Sequence, residues 1–150
     1  AFDNNRPGPL RLCGIDIEYA HTHLGHSDAD VALHALTDAI FGAIGAGDIG
    51  QHFPPSNNDF KDMDSAIFLE KALDMLADQN GRLNNIDLTI ICEEPKIGPH
   101  ADAMKTRLED ITKLSTENIN IKATTTEGLG FTGRKEGIAA QALVSVTING

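Results

Sequence analysis

The chain has 150 residues, 41% of them hydrophobic, and a formal net charge of -10. That length suits one domain, 1–150, able to bury a core of its own. The charge opposes binding to nucleic acid or to an anionic membrane surface, because phosphate contacts need clustered Lys and Arg.

An acidic chain that handles a phosphorylated ligand must instead gather positive charge at one point, and bound cations do this. Cys13 and Cys92 lie far apart and form no Cys-x-x-Cys pair. They read as reduced thiols of an intracellular protein. No run of about 18 apolar residues is present to span a bilayer, and the first residues lack the apolar centre of a signal peptide. The start at Ala1 rather than Met indicates that residues precede it.

Leu10–Cys13 and Gly14–Glu18 alternate apolar and polar side chains about a Gly, the period of a strand pair. The chain therefore starts in a sheet edge or an arm. From Ser27 the period becomes helical, with Val31, Leu33, His34, Leu36, Ile40, Phe41 and Ile44, and Ser27 with Asp30 resembles a capping box. The spacing predicts a helix to about Gly45. Residues 48–58 are rich in Gly, Pro and Asn, as expected of a loop. A second helix is predicted between Asp64 and Asn80, with Gly81 as its left-handed cap. Ile86–Ile91 predicts a strand, Pro95 and Pro99 bracket a loop, and a third helix runs from about His100 to Leu114. Ile119–Ala123 predicts another strand, Gly128–Gly137 a loop, and Ile138–Ile148 a long final strand. Strands interleaved with helices give an α/β (α+β) layer structure, a sheet covered on one face by helices.

Three groups of residues invite a chemical reading. His26, Asp30, His34 and Asp38 follow one another at i, i+4, so a helix entered near Ser27 lines them along one stripe. Neutral imidazole ligates metals and a neighbouring carboxylate orients the ring; the plainer alternative is a capped, solvated helix face. Lys122-Ala123-Thr124-Thr125-Thr126-Glu127 ends a strand in hydroxyls and a carboxylate, donors for phosphate and an oxygen ligand for a hard cation. Ordinary strand propensity explains the same residues. Gly130-Phe131-Thr132-Gly133-Arg134 lacks the Gly-Lys-Ser/Thr ending of a nucleotide-binding loop, although Arg134 suits bidentate phosphate contacts. Cys92-Glu93-Glu94-Pro95-Lys96-Ile97-Gly98-Pro99 either presents backbone amides to a planar base or connects a strand to a helix, and spacing alone favours the connector.

Taken together and in this order, His26-Ser27-Asp28-Ala29-Asp30-Val31-Ala32-Leu33-His34, Lys122–Glu127 and Gly130–Arg134 resemble the 2-C-methyl-D-erythritol 2,4-cyclodiphosphate synthase family along nearly the whole chain. The resemblance implies a homotrimer in which mixed four- to five-stranded sheets surround a threefold axis, helices lie outside, and adjacent subunits share each active site. It implies a phosphorus-oxygen lyase that turns 4-diphosphocytidyl-2-C-methyl-D-erythritol 2-phosphate into the cyclic diphosphate and CMP, in the cytoplasm or a plastid stroma. Bringing two anionic phosphates together calls for positioning and charge neutralisation rather than a protein nucleophile.

By the same resemblance His34 is a Zn2+ ligand, Glu127 a ligand of Mg2+ or Mn2+, and His26 and Thr125 stabilise the transition state, flanked by Ser27, Thr124 and Thr126. Asp48, Ile49 and Gly50 surround the erythritol portion, beside a mobile loop of Phe53, Pro54, Pro55, Ser56 and Asn57. The cytidine diphosphate portion of the substrate falls to Cys92, Glu93, Glu94, Pro95, Lys96, Ile97 and Gly98. Phe131 and Arg134 lie near the substrate or a central cavity that holds an isoprenoid diphosphate. The family carries an Asp-x-His immediately before the Ala-Phe with which this chain opens. One imidazole cannot build a three-ligand zinc site, so the resemblance predicts weak or missing zinc and an inactive chain as it stands. Pro55 replaces an acidic residue common in relatives, and Glu93-Glu94 replaces a less charged pair. Two rivals remain: a zinc hydrolase acting on simple phosphoesters through metal-bound water, and a trimeric module that binds an isoprenoid diphosphate without catalysis.

Overall fold

The computed structural model describes residues 1–25 and 27–149. Its strands form three sheets: β1 (Phe2–Asp3) against β4 (Thr22–His23), β2 (Leu10–Leu12) against β3 (Ile15–Ile17), and a mixed sheet of order β6–β5–β7. In this last sheet β5 (Gly81–Ile91) runs parallel to β6 (Ile119–Thr124) and antiparallel to β7 (Ala139–Ile148). The sheet is thus three-stranded among the described residues, not four- to five-stranded. The N-terminal strands pair with one another, β1 with β4 and β2 with β3, and stand outside the mixed sheet. Between β2 and β3, Leu12 faces Ile15 across a two-residue turn in which Cys13 and Gly14 both have positive φ, 53° and 73°. Two left-handed residues in a tight turn match the twist of a hairpin.

The helices lie where the apolar period put them. α1 (Val31–Ala43) begins later than Ser27, because Asp30 is the residue that caps it. α2 (Ile49–His52) and a 3-10 turn at Asn58–Phe60 give order to the expected loop. α3 (Ser65–Asp78) is capped by Asp64. Its left-handed terminus is Asn80, with φ 55°, and Gly81 already belongs to β5. α4 (Ala101–Thr112) precedes β6, and α5 (Gly130–Gly133) is a single turn inside the glycine-rich loop. That turn needs Gly133, since a Cβ there would lie 2.2 Å from the carbonyl carbon of Gly128.

Ile86, Leu88 and Ile90 point to one face of β5 and are buried, while Asp87 and Thr89 point to the other. Alternation of this kind covers one face and leaves the second open. α1 packs on β7, α3 on β5 and α4 on β6. Leu33, Leu36, Ile40 and Phe41 of α1 and Leu69 and Leu76 of α3 join the same core as Leu10, Leu12 and Ile17 of the hairpin. On the open face Leu143 is 71% exposed.

Candidate active site

Asp30 is the fixed point from which the first half of the site is built. Its fully buried carboxylate caps α1 by accepting from Leu33 N at 3.0 Å, and it also accepts from Cys13 N at 2.8 Å and Gly14 N at 2.7 Å. One side chain therefore joins the hairpin turn to the start of α1. Burial raises its pKa to about 6, against the three backbone N–H donors, which pull it down. The expected stripe of ligands dissolves here. Asp30 turns back to the hairpin, and Asp38 accepts from Ile49 N at 2.8 Å, anchoring α2. His26 lies outside the described residues.

His34 is one turn into α1 and lines a cavity of about 550 Å³, within the range of small-molecule sites. The cavity is also walled by Ser27, Ile49, Gly50, Phe53, Pro55 and Asn57, all expected around the substrate. Asp48 caps α2 just beside it, its carboxylate accepting from Gln51 N at 3.0 Å. The Phe53 ring packs on Phe68 of α3 at 4.5 Å and on Phe60 at 5.2 Å, so aromatic contacts tie the 53–60 segment to α3. His34 in turn lies 5.7 Å from Phe68. Burial lowers its pKa, opposed by the Asp28 and Asp38 carboxylates, and the ring is therefore held neutral at neutral pH. Its Nε2 is 2.9 Å from Ser65 Oγ and 3.5 Å from Ser27 Oγ.

The second half of the site stands elsewhere on the chain, at the C-terminal ends of β5 and β6. Cys92 N donates to Thr124 O at 3.1 Å, and Glu93 Oε1 accepts from both Thr126 N and Gly128 N at 3.2 Å. The Cys92–Gly98 loop is thereby joined to the Thr124–Glu127 strand end. Glu127, between those two N–H groups, takes a left-handed φ of 53°, and its N–H donates to Thr125 Oγ1 at 3.3 Å. Thr124, Thr125 and Glu127 are exposed, whereas Thr126 is half-buried and donates to Leu129 O at 2.6 Å. Pro95 follows a cis peptide bond after Glu94, Ile97 is buried, and Lys96 and Gly98 are exposed. Cys92 is buried, which raises its thiol pKa to about 11 and leaves it unreactive. Arg134 pairs with Glu136 at 2.8 Å, Lys135 with Glu94 at 2.7 Å, and Phe131 is 47% exposed. None of these residues lines the cavity around His34. Pro54 and Ser56 are exposed at its rim segment.

Residue order gave no warning of several partners. Ser65 is 31 residues from His34, and only a search for polar residues at helix starts would have flagged it. His23 lines the same cavity, buried and stacked on Phe2 at 5.8 Å, and among the described residues its Nε2 has no hydrogen-bond partner. Burial brings its pKa down to about 4. Lys61 and Phe60 complete the wall.

The model of the YgbB family matches residues 1–147. The chain belongs to this family. It is 54% identical over 136 residues to the 2-C-methyl-D-erythritol 2,4-cyclodiphosphate synthase of Bacillus cytotoxicus, covering 91% of this chain and 86% of that protein. It is 56% identical over 148 residues to the bifunctional enzyme IspD/IspF of Gluconobacter oxydans, covering 99% of this chain but 38% of that protein. The chain thus spans about two fifths of the length of the bifunctional relatives it matches. Among solved structures, the bifunctional IspDF of Campylobacter jejuni superposes with a TM-score of 0.92 at 40% identity, over 99% of this chain and 40% of that one. A CDP-bound 2C-methyl-D-erythritol-2,4-cyclodiphosphate synthase superposes with a TM-score of 0.87 at 34% identity, over 97% and 93%. The mixed α/β fold of this YgbB chain is therefore that of the synthases.

His34 meets the chemistry of one zinc donor: a neutral imidazole in a cavity wall, hydrogen-bonded through its other nitrogen. Among the described residues no group of three His, Cys, Asp or Glu side chains comes together to complete a site. Glu127 fits a hard cation as an exposed carboxylate that follows the hydroxyls of Thr124–Thr126.

Proposed function

We propose that this chain carries 2-C-methyl-D-erythritol 2,4-cyclodiphosphate synthase activity, closing 4-diphosphocytidyl-2-C-methyl-D-erythritol 2-phosphate to the cyclic diphosphate with release of CMP, a phosphorus-oxygen lyase reaction. The observation that carries this reading is the 54% identity with the Bacillus cytotoxicus synthase over nearly its whole length. The cavity supports it. Ile49, Gly50, Phe53 and Pro55 offer an apolar, water-excluding wall to a branched polyol, and Lys61 and the hydroxyl of Ser27 offer donors to its phosphates. The Cys92–Gly98 loop is the cytidine site; that a solved neighbour binds CDP supports a cytidine diphosphate ligand for this chain.

Zn2+ belongs at His34, with donors from outside the described residues, and Mg2+ or Mn2+ at Glu127. Both cations, when bound, would neutralise the phosphates that must approach one another. The protein's own share is positional: His34 and the cavity hold one end of the substrate, while Thr125 presents its hydroxyl at the other. Because the two halves stand apart on one chain, the complete site forms between subunits of a homotrimer. The open sheet face bearing Leu143 supports that assembly. An isoprenoid diphosphate in the central cavity, near Phe131 and Arg134, is a further ligand of the assembly. The test is CMP release by full-length protein supplied with zinc and magnesium. Release at synthase-like rates is expected; folded, metal-loaded protein that binds substrate yet forms no CMP would overturn the reading in favour of a non-catalytic binding module.

A further inference from the structure

Two N–H groups that flank the exposed Glu127 are both spent on a single oxygen. Glu93 Oε1 accepts from Thr126 N and from Gly128 N, each at 3.2 Å, from 33 and 35 residues away in the chain. Between and after them Glu127 and Gly128 have φ of 53° and 83°, so two successive residues are left-handed. A non-glycine residue stays in that region only where its surroundings hold it. Converging amides of this kind form a concavity that suits an anion, and here the protein fills it with its own half-buried side chain. Thr126 is consumed by the same turn. Its hydroxyl donates to Leu129 O at 2.6 Å and meets Thr132 Oγ1 at 2.9 Å, and its carbonyl accepts from Leu129 N at 3.0 Å. Thr125 is exposed, and its Oγ1 accepts from Glu127 N at 3.3 Å. A hydroxyl that accepts in this way keeps its one hydrogen for another oxygen.

We propose that Glu93 is a positioning residue: by holding the 126–128 turn through one oxygen, it aims the Thr125 hydroxyl at the diphosphate of a cytidine nucleotide. This rests on the reading of the strand end as the diphosphate end of the substrate site, and it names what fixes that end. The resemblance put Glu93 among the groups that touch the ligand, whereas its Oε1 is turned onto the protein's own backbone. Because both hydrogen bonds use the same atom, the role demands reach rather than charge. Gln carries an accepting oxygen at the same distance from the main chain as Glu. Asp keeps the carboxylate but is one methylene too short to span both amides.

The experiment uses full-length protein and two probes, CDP and cytidine, titrated calorimetrically, with amide hydrogen exchange at Thr126 and Gly128 read by NMR. Wild type is expected to prefer CDP, and Thr125→Ala to lose that preference. Glu93→Ala and Glu93→Asp should both speed exchange at the two amides and bind CDP on the order of 10- to 100-fold more weakly, with cytidine binding little changed. Glu93→Gln should keep the protection and stay within about fivefold of wild type for CDP. The Gln and Asp variants, which both keep a polar side chain, decide the matter even if Glu93→Ala does not fold. Loss of CDP binding in Glu93→Gln as great as in Glu93→Asp overturns the proposal, since charge and not reach would then be at work. So does faster exchange in Glu93→Ala or Glu93→Asp with CDP binding unchanged while Thr125→Ala loses it, which leaves the strand end a diphosphate site and Glu93 merely structural. A wild type that binds CDP no better than cytidine is different, because it removes the reading of the strand end itself, and the proposal with it.

Discussion

The His34 cavity and the Glu127 strand end are built on opposite plans. Around the cavity most polar side chains are held by partners: Asp30 holds three backbone N–H groups, Ser65 contacts the His34 ring, and phenylalanines brace the rim. At the strand end the groups are exposed, and what is fixed is the backbone, through Glu93. The contrast teaches that a single chain carries one preorganised pocket and one presented edge. A buried pocket fixes its polar groups by itself, whereas exposed hydroxyls and a carboxylate gain low-dielectric surroundings only when something covers them.

The largest effect should come from breaking the buried side. Asp30→Ala strands three N–H groups in the core and is expected to cost about 3–5 kcal/mol in urea unfolding; a loss under about 1 kcal/mol would mean that water replaces the carboxylate. Next, His34→Ala and Glu127→Gln should each lower CMP release by on the order of 10²–10³-fold with little change in stability. Mixing the two inactive variants sharpens the comparison. If pocket and edge meet across a subunit boundary, co-refolded mixtures should regain roughly a quarter of wild-type activity by random assortment in a closed ring. No recovery would place both halves of the site on one chain.

Titration should also separate the regions. His23 has its pKa lowered to about 4 by burial, so the stability it contributes is present above about pH 6.5 and is lost as pH falls through about 4. Asp30, raised to about 6, works the other way, since its fold loses stability as pH rises from about 4 to 6. His23→Leu should therefore flatten the acid-side fall in unfolding free energy, and Asp30→Asn should steepen it. The smallest change is expected at the exposed edge, where Glu93→Ala should cost about 0.5–1 kcal/mol because water reaches Thr126 N and Gly128 N.

The sequence made the long elements legible because burial writes a period into them: α1, α3, α4, β6 and β7 fall near their expected places, while β5 is expected from Ile86 but begins at Gly81. It was silent on β1 and β4, two residues each, which are too short for any period. The resemblance, more than spacing, brought Ile49, Gly50 and Phe53 to His34. The i, i+4 stripe misled because it records which residues share a helix face, not where a carboxylate turns. Asp30 finds its partners 16 and 17 residues back, in a turn the stripe cannot see. Asp28 and Ser65 stayed hidden for the same reason: their contact spans 37 residues.

Glu93 has one more consequence. A single oxygen that receives the amides on both sides of residue 127 works as a crank between two loops. A displacement of the 92–98 segment would therefore reach the backbone on both sides of residue 127, so the two loops do not move independently.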